Sequence, residues 1–324
     1  MNDTSPFANP NTGRPLRRQG DLLVDANGAE FPIVAGIPRF CEIDNYTASF
    51  GRQWNQFRTT QIDGEGVAAS PSATRLFAET GWKAAELTGV DVLEVGSGAG
   101  RFSRVLLEHT SANLYSIDYS SAVEANWRNN AELGQGRFYI AQASIYEMPF
   151  GDDRFDKVFC LGVLQHTPDF EASIRALVRK TKPGGEIVVD FYPIRGWWTK
   201  IHAKYLLRPI TRRMPEDRLL RLIDGHADRL IRLSNSLQRM GLGVLRRFVP
   251  LVDIQGTLPP NLSPGQLREW VVLDTFDMFS PRFDKPQRIP AVAKMFERAN
   301  ADVTFAGFVD CGTGKAAVVR AIRA

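Results

Sequence analysis

Cysteine is scarce in this 324-residue chain: Cys41, Cys160 and Cys311 lie far apart and are odd in number. No disulfide framework or cysteine-based zinc site can be built from them, so a reducing compartment is expected and no metal. Long apolar runs are missing as well; nothing approaches the ~18 uninterrupted apolar residues of a membrane span. The N-terminus, MNDTSPFANP, lacks a basic segment leading into an apolar one, so no secretory signal is read and a soluble, cytoplasmic protein is expected. Net charge is small too. A balance of +4, from 40 Lys+Arg against 36 Asp+Glu, is too weak to name a nucleic-acid or membrane partner. What charge there is lies unevenly: residues 195–250 hold 13 Lys/Arg and 4 Asp/Glu, a local +9, which leaves the remainder near −5. With 44% hydrophobic and 23% charged residues, wholesale disorder is excluded.

Residues 1–87 read as an irregular preface, with two apolar pieces, Leu22–Val24 and Phe31–Ile37, suited to a small hairpin. Within it, FGRQWNQF (50–57) mixes aromatic and polar residues and either covers a pocket or packs on the main domain. From Val90 the pattern becomes strand and helix in alternation. Strands are predicted at Val92–Val95, Leu114–Ile117, Phe138–Ala141, Lys157–Leu161 and Glu186–Phe191, with helices at Arg101–Glu108, Ala122–Leu133 and Phe170–Lys180. This spacing argues for an α/β fold, a parallel sheet with helices on both faces. The alternation then stops for about 95 residues: Ile194–Val249 reads as basic, amphipathic helix and Asp253–Pro290 as proline-rich turns. It resumes with a helix at Ala291–Asn300 and a hairpin, Val303–Phe308 and Ala316–Ile322, around Cys311-Gly312-Thr313-Gly314. No internal repeat is present.

The strongest local signal is VLEVGSGAGRF, residues 92–102. A strand ends at Val95, glycines occupy 96, 98 and 100, and a helix follows. Glycine permits positive φ there and lets a ligand approach the backbone. A dinucleotide fingerprint wants a small residue three places after the second glycine, and that place holds Arg101. A triphosphate-cradling GxxxxGK[ST] is absent here. Asp118 lies 20 residues past Gly98, at the end of the second strand, where a carboxylate accepts hydrogen bonds from ribose hydroxyls.

In these residues the chain resembles the class I S-adenosylmethionine (SAM)-dependent methyltransferases. The likeness covers VLEVGSGAGRFS, LYSIDYS, AQASIYEMPFGDDRFDKVFCLGVLQHTPD and LVRKTKPGGEIVV, in family order and spacing. It implies a Rossmann-like seven-stranded methyltransferase sheet, parallel with one antiparallel C-terminal strand. It implies SAM as cofactor, with Gly96, Gly98 and the backbone around Ser97 facing the methionine portion, Gly100 also at the cofactor, and Glu94 ordering the loop or the SAM amino group. Asp118 would take the ribose, Tyr119, Ser144 and Ile145 would border the adenine, Leu161 would also contact the cofactor, and Arg101 would stand near the SAM carboxylate or in a surface ion pair. At Ser144 relatives often carry an acid, which is missing here.

Methyl transfer to a hydroxyl is helped by a general base, and His166, after the fourth strand, stands in the matching place; its other reading is a helix-start histidine packed under the pocket. Gln165, Asp190, Tyr192 and His202 are expected on the acceptor side. The [DN]PP[YF] motif of base-amine methyltransferases is replaced by Cys160-Leu161-Gly162-Val163, and no catechol-type carboxylate set accompanies Asp152-Asp153. Nucleic acid and metal are thereby disfavoured. Two passages, SFGRQWNQFRTTQID and VVLDTFDMFSPRFDKPQ, resemble a bacterial subgroup associated with small-molecule and glycan methylation, and FPIVAGIPRF resembles the tail of a zinc ribbon without its cysteines. The chain thus divides into an N-terminal extension (1–87), a SAM-binding core (88–191), a basic helical lid (192–286) and a closing helix and hairpin (287–324). The lid has three readings: a plain helical cap, a cap that meets an anionic acceptor, or a peripheral contact with an anionic membrane through residues 195–250. The expected activity is metal-independent O-methylation of a small molecule or glycan. The competing readings are a lipid or quinone-like acceptor and a non-catalytic SAM-binding module.

Overall fold

The structure, a computed structural model, describes residues 4–42, 45–63, 70–259, 262–312 and 314–324. It contains two compact units, Met1–Pro193 with Phe283–Cys311 and Lys315–Ala324, and Ile194–Arg282 with Gly312–Gly314.

The first unit begins with a five-stranded antiparallel sheet: β1 (Thr4–Ala8), β2 (Pro15–Gln19), β3 (Leu22–Val24), β4 (Glu30–Val34) and β5 (Ile37–Pro38). The predicted hairpin is β3 with β4. The irregular preface around it is corrected to a sheet. Strand β2 buries only Leu16, so it has no alternation to read. Two helices follow, α1 (Ala48–Gln56) and α2 (Pro71–Thr80). The second is punctuated as its sequence dictates: Ser70 Oγ accepts from the Ala73 N–H at 3.0 Å, Pro71 takes the first turn, and Gly81 ends it at φ +73°.

Next come β6 (Asp91–Val95), α3 (Arg101–His109), β7 (Asn113–Asp118), α4 (Ala122–Gly134), β8 (Phe138–Gln142), β9 (Phe155–Cys160), α5 (Phe170–Lys180) and β10 (Thr181–Phe191). The second unit is built on α6 (Ala203–Thr211), α7 (Glu216–Arg239), α8 (Ile254–Thr257) and α9 (Pro264–Phe279). The first unit is completed by α10 (Ile289–Arg298), β11 (Ala301–Asp310) and β12 (Lys315–Arg323). Thr313, in the predicted turn of that hairpin, lies outside the described residues.

The large sheet has the order β11-β12-β10-β9-β6-β7-β8. Strands β6 to β10 pair in parallel, and β12 alone runs against its neighbours, opposite both β10 and β11. This is the Rossmann-like sheet that the sequence implied. Residues alternate between its faces: Leu93, Val158, Ile187 and Val319 pack with the α5 and α10 side, while Val92, Phe159, Val188 and Val318 pack with α2 and α3. The N-terminal sheet shares the first of these cores through Phe7, Leu16, Leu23 and Phe40. It also covers the β8 edge, where Arg39 forms a parallel bridge with Gln142 and the Phe40 N–H donates to the Gln142 carbonyl at 2.8 Å.

In the second unit Val249, Leu251, Leu258, Trp270 and Val271 form a core of their own. The stretch read as proline-rich turns contains α9, a 16-residue helix. Its Ser263–Gln266 capping box marks the start, but Trp270, Val271, Val272 and Leu273 are consecutive and all buried, so no 3.6-residue stripe betrays it.

Candidate functional site

The glycine loop leaves the C-terminal end of β6. Gly96 and Gly100 adopt φ of +83° and +86°, a region that side-chain-bearing residues rarely occupy. Space forbids a side chain as well: a Cβ on Gly100 would fall 2.1 Å from Asn126 Oδ1 and 2.2 Å from Asn130 Nδ2. Asp118, at the end of β7, holds the loop from the side. Its Oδ2 accepts from the Gly98 N–H at 2.9 Å, and its Oδ1 from the Ser120 N–H and Oγ at 2.8 and 2.6 Å. A carboxylate offers about four lone-pair sites, so three protein donors leave about one for a ligand. The two-hydroxyl clamp expected of Asp118 is reduced accordingly. Desolvation pushes its carboxyl above the usual carboxylate range, opposed by the Ser120 and Gly98 hydrogen bonds.

Beneath the loop lies a buried polar network that the sequence did not announce. Glu94 accepts from Ser103 Oγ and, at 2.9 Å, from Ser116 Oγ. Asn126 Nδ2 donates to both of those hydroxyls, and Asn130 Nδ2 donates to Asn126 Oδ1 at 2.8 Å and to the Gly100 carbonyl at 2.9 Å. Burial raises the Glu94 carboxyl to about 7, against the lowering pull of Ser103 and Ser116. Glu94 therefore acts on the loop through α3, β7 and α4. In contrast, Ser97 within the loop has a buried Oγ with no hydrogen-bond partner, which in a native interior asks for a ligand.

Two further segments border the loop. Val163 is one: a Cβ on Gly96 would meet its Cγ2 at 2.3 Å, so the 161–166 loop rests on the glycine loop. The other is the segment 45–57. Asn45 Nδ2 donates to the Tyr119 carbonyl at 2.9 Å, Tyr46 and Tyr119 rings lie 5.3 Å apart, and a Cβ on Gly98 would stand 3.3 Å from the Trp54 indole. Phe50, in the same segment, places its ring 5.2 Å from that of His166. Tyr46, Phe50 and Trp54 were not singled out from the sequence, although the segment 50–57 that holds the last two was; only the tertiary fold brings these residues to the loop.

His166 is buried, with Tyr192 edge-on at 5.6 Å. Its Nδ1 lies 3.0 Å from the Phe283 carbonyl. A carbonyl only accepts, so Nδ1 carries the proton and the lone pair of the neutral ring sits on Nε2. Beside it, both amide atoms of Gln165 are buried without a hydrogen-bond partner. Gln165, His166 and Tyr192 thus come together as expected.

Other expected residues are committed elsewhere. Asp190 accepts from Arg75 Nη2 at 2.9 Å and from the Gly162 N–H, while Arg75 Nε donates to buried Glu79 at 2.7 Å. Burial raises the Asp190 carboxyl, with the Glu79 charge adding and Arg75 opposing. This ion cluster positions the Gly162 turn. Arg101 is tied by Nε to Ser72 Oγ at 2.6 Å. Ser144 Oγ accepts from the Tyr146 N–H at 3.2 Å, and Ile145 and Leu161 are buried in the two cores. His202 belongs to the second unit, where its Nδ1 accepts from the Lys204 N–H at 3.1 Å and caps α6.

A family model described as a methyltransferase domain matches residues 93–189. The chain is 28% identical over 131 residues to a tRNA U34 carboxymethyltransferase of Nautilia profundicola, covering 37% of this chain and 44% of that one. It is 33% identical over 133 residues to a ubiquinone biosynthesis O-methyltransferase of Pseudomonas fluorescens, covering 39% and 56%. The chain thus spans about half the length of the curated relatives it matches. Among solved structures, a magnesium protoporphyrin IX methyltransferase from Synechocystis with bound SAH is similar with a TM-score of 0.48 and 15% identity, over 86% of this chain and 97% of that one. Residues 93–189 are thus a methyltransferase domain, set on a sheet of the order given above.

Proposed function

We propose that the protein transfers a methyl group from SAM to a hydroxyl of a small molecule or glycan, with His166 as general base. The observation that carries this reading is the fixed His166 tautomer, adjacent to a buried, unpartnered Gln165 amide on a loop that abuts the glycine loop. The residues present suit the cofactor: the buried Ser97 Oγ lacks a partner, and the Asp118 carboxylate retains about one acceptor site. When bound, SAM supplies an electrophilic methyl on its sulfonium. The chain supplies the rest. Ser97 and the loop backbone hold the methionine portion, and Asp118 receives a ribose hydroxyl. Phe50 and Tyr192 keep water from His166. Gln165 donates to or accepts from the acceptor, orienting its hydroxyl, and His166 Nε2 takes the proton as the oxygen attacks.

Calorimetric titration with SAM and with its demethylated product tests the cofactor assignment. Asp118→Asn should weaken binding about tenfold or more, as a hydrogen bond to a charged acceptor is lost; unchanged affinity removes Asp118 from the site. With a turned-over acceptor in hand, His166→Ala should lower kcat with little change in SAM affinity, and unaltered turnover would remove it as the base. The relatives in ubiquinone biosynthesis favour a second reading, a lipid or quinone-like acceptor. Mass spectrometry of products labelled from isotopic SAM in a cell extract separates the two.

A further inference from the structure

Helix α6 is built inside out. Lys204 and Arg208, one turn apart, are only 9% and 7% exposed, whereas Leu206 and Ile210 are 61% and 66% exposed. Arg208 is fixed inward by donating to the Met278 and Pro281 carbonyls at 3.1 and 2.8 Å. An amphipathic helix facing water does the reverse. The anomaly extends beyond α6. Of the sixteen large apolar residues exposed among the described residues, thirteen lie in the second unit, little more than a quarter of the chain, so the patch is a property of that unit. Trp197 reaches 79% exposure just before α6, and Val244 reaches 78% in a second apolar stretch, residues 242–248. The two stretches adjoin, since Arg247 Nη2 donates to the Trp198 carbonyl at 2.6 Å.

Charge identifies the partner. Residues 194–215 hold no acid, and of their six cations Arg195, Lys200, Arg212 and Arg213 are exposed while Lys204 and Arg208 turn inward; residues 240–252 hold no acid and add half-buried Arg247 and Arg246, the latter 3.3 Å from Asp253. A second copy of the same face would set cation against cation, which argues against a symmetric dimer through it. An anionic bilayer offers what this face lacks: acyl chains for the tryptophans and leucines, with phosphates around them for the guanidinium and ammonium groups. Among the described residues no helix is long and apolar enough to cross a membrane, so the contact is interfacial. We infer that the second unit docks on an anionic lipid surface through Trp197, Leu206, Ile210 and Val244.

The inference stands apart from the proposed methyl transfer, and its assay contains no SAM. The full chain is sedimented with vesicles of phosphatidylcholine alone and with an equal mixture of phosphatidylcholine and phosphatidylglycerol, at low and high salt. Binding is expected to the mixture, to weaken with salt, and to be slight on phosphatidylcholine. Tryptophan emission should move to shorter wavelength on the mixed vesicles. Trp197→Ser combined with Val244→Ser should lower the partition coefficient about tenfold, with an unchanged thermal midpoint because both side chains already face solvent. Absence of sedimentation with the mixture overturns the inference, as does binding that the double variant leaves intact. A dimer in sedimentation velocity that the double variant splits, without vesicle binding, assigns the face to a second copy and overturns it as well.

Discussion

The two units handle polar and apolar groups in opposite ways. Under the glycine loop, Glu94, Ser103, Ser116, Asn126 and Asn130 are all buried, and each is bonded to another member or to the loop backbone. In α6 the cations turn inward and the leucines and Ile210 outward. The first pattern is that of a site whose geometry must be held: a network bonded at every member, with Asn130 Oδ1 left over, fixes its members mutually in low dielectric. The second is that of a surface whose outer neighbour is not water alone. One chain thus uses burial of polar groups for rigidity in one place and exposure of apolar groups for adhesion in another.

The sharpest way to break the first pattern is Gly100→Ala. The new methyl would have to accept the existing positive φ and would press on Asn126 and Asn130, for a loss of about 4 kcal/mol. Chemical denaturation measures it, and a loss under about 1 kcal/mol would mean that the network yields easily.

Next is the pH dependence tied to Glu94. Its carboxyl is raised from 4.5 to about 7, so the folded state holds a proton that the unfolded state releases. The stability this confers is complete below pH 4.5 and disappears as pH rises through about 7, roughly 3 kcal/mol in all. Asp190, also raised, adds to the wild-type slope. The difference between wild type and Glu94→Gln isolates the Glu94 share. Parallel stability curves for the two proteins across that window would show Glu94 ionised throughout.

In the second unit, Arg208→Met should cost about 2 kcal/mol, because the Met278 and Pro281 carbonyls lose their donor. A gain in stability would instead show that burying this cation is a net burden. The smallest effect is expected at Trp197→Ser, within about 0.5 kcal/mol in solution. If that variant unfolds the protein, Trp197 is a packing residue and the contrast between the units fails.

Much of the large sheet was legible because its strands are short apolar runs bounded by glycine, proline or a capping residue. Phe170–Lys180 was read to the residue, since Asp169 caps it and Pro183 follows it. Helix α9 was not, because burial on all sides erases periodicity, nor was β2, because near-complete exposure does the same. Of the site, the glycine loop and Asp118 were visible from spacing, and Gln165 and His166 from the family resemblance. The partners of Asp190 were not legible: Arg75 and Gly162 lie 115 and 28 residues away, and no local pattern announces such an ion cluster. The Asn126–Asn130 pair was hidden inside an ordinary helical period.

By itself, then, the sequence determined the strand–helix alternation, the glycine loop and the cation-rich stretch, all of which depend on neighbours a few residues apart. The tertiary structure decided the rest. It determined that the 45–57 segment reaches Tyr119 and His166, that Asp118 is mostly occupied by its own chain, and that α6 faces outward with its apolar side. These are long-range outcomes, set by which surfaces find a partner when the chain collapses, and a cation or a leucine carries no local mark of the side to which it will turn.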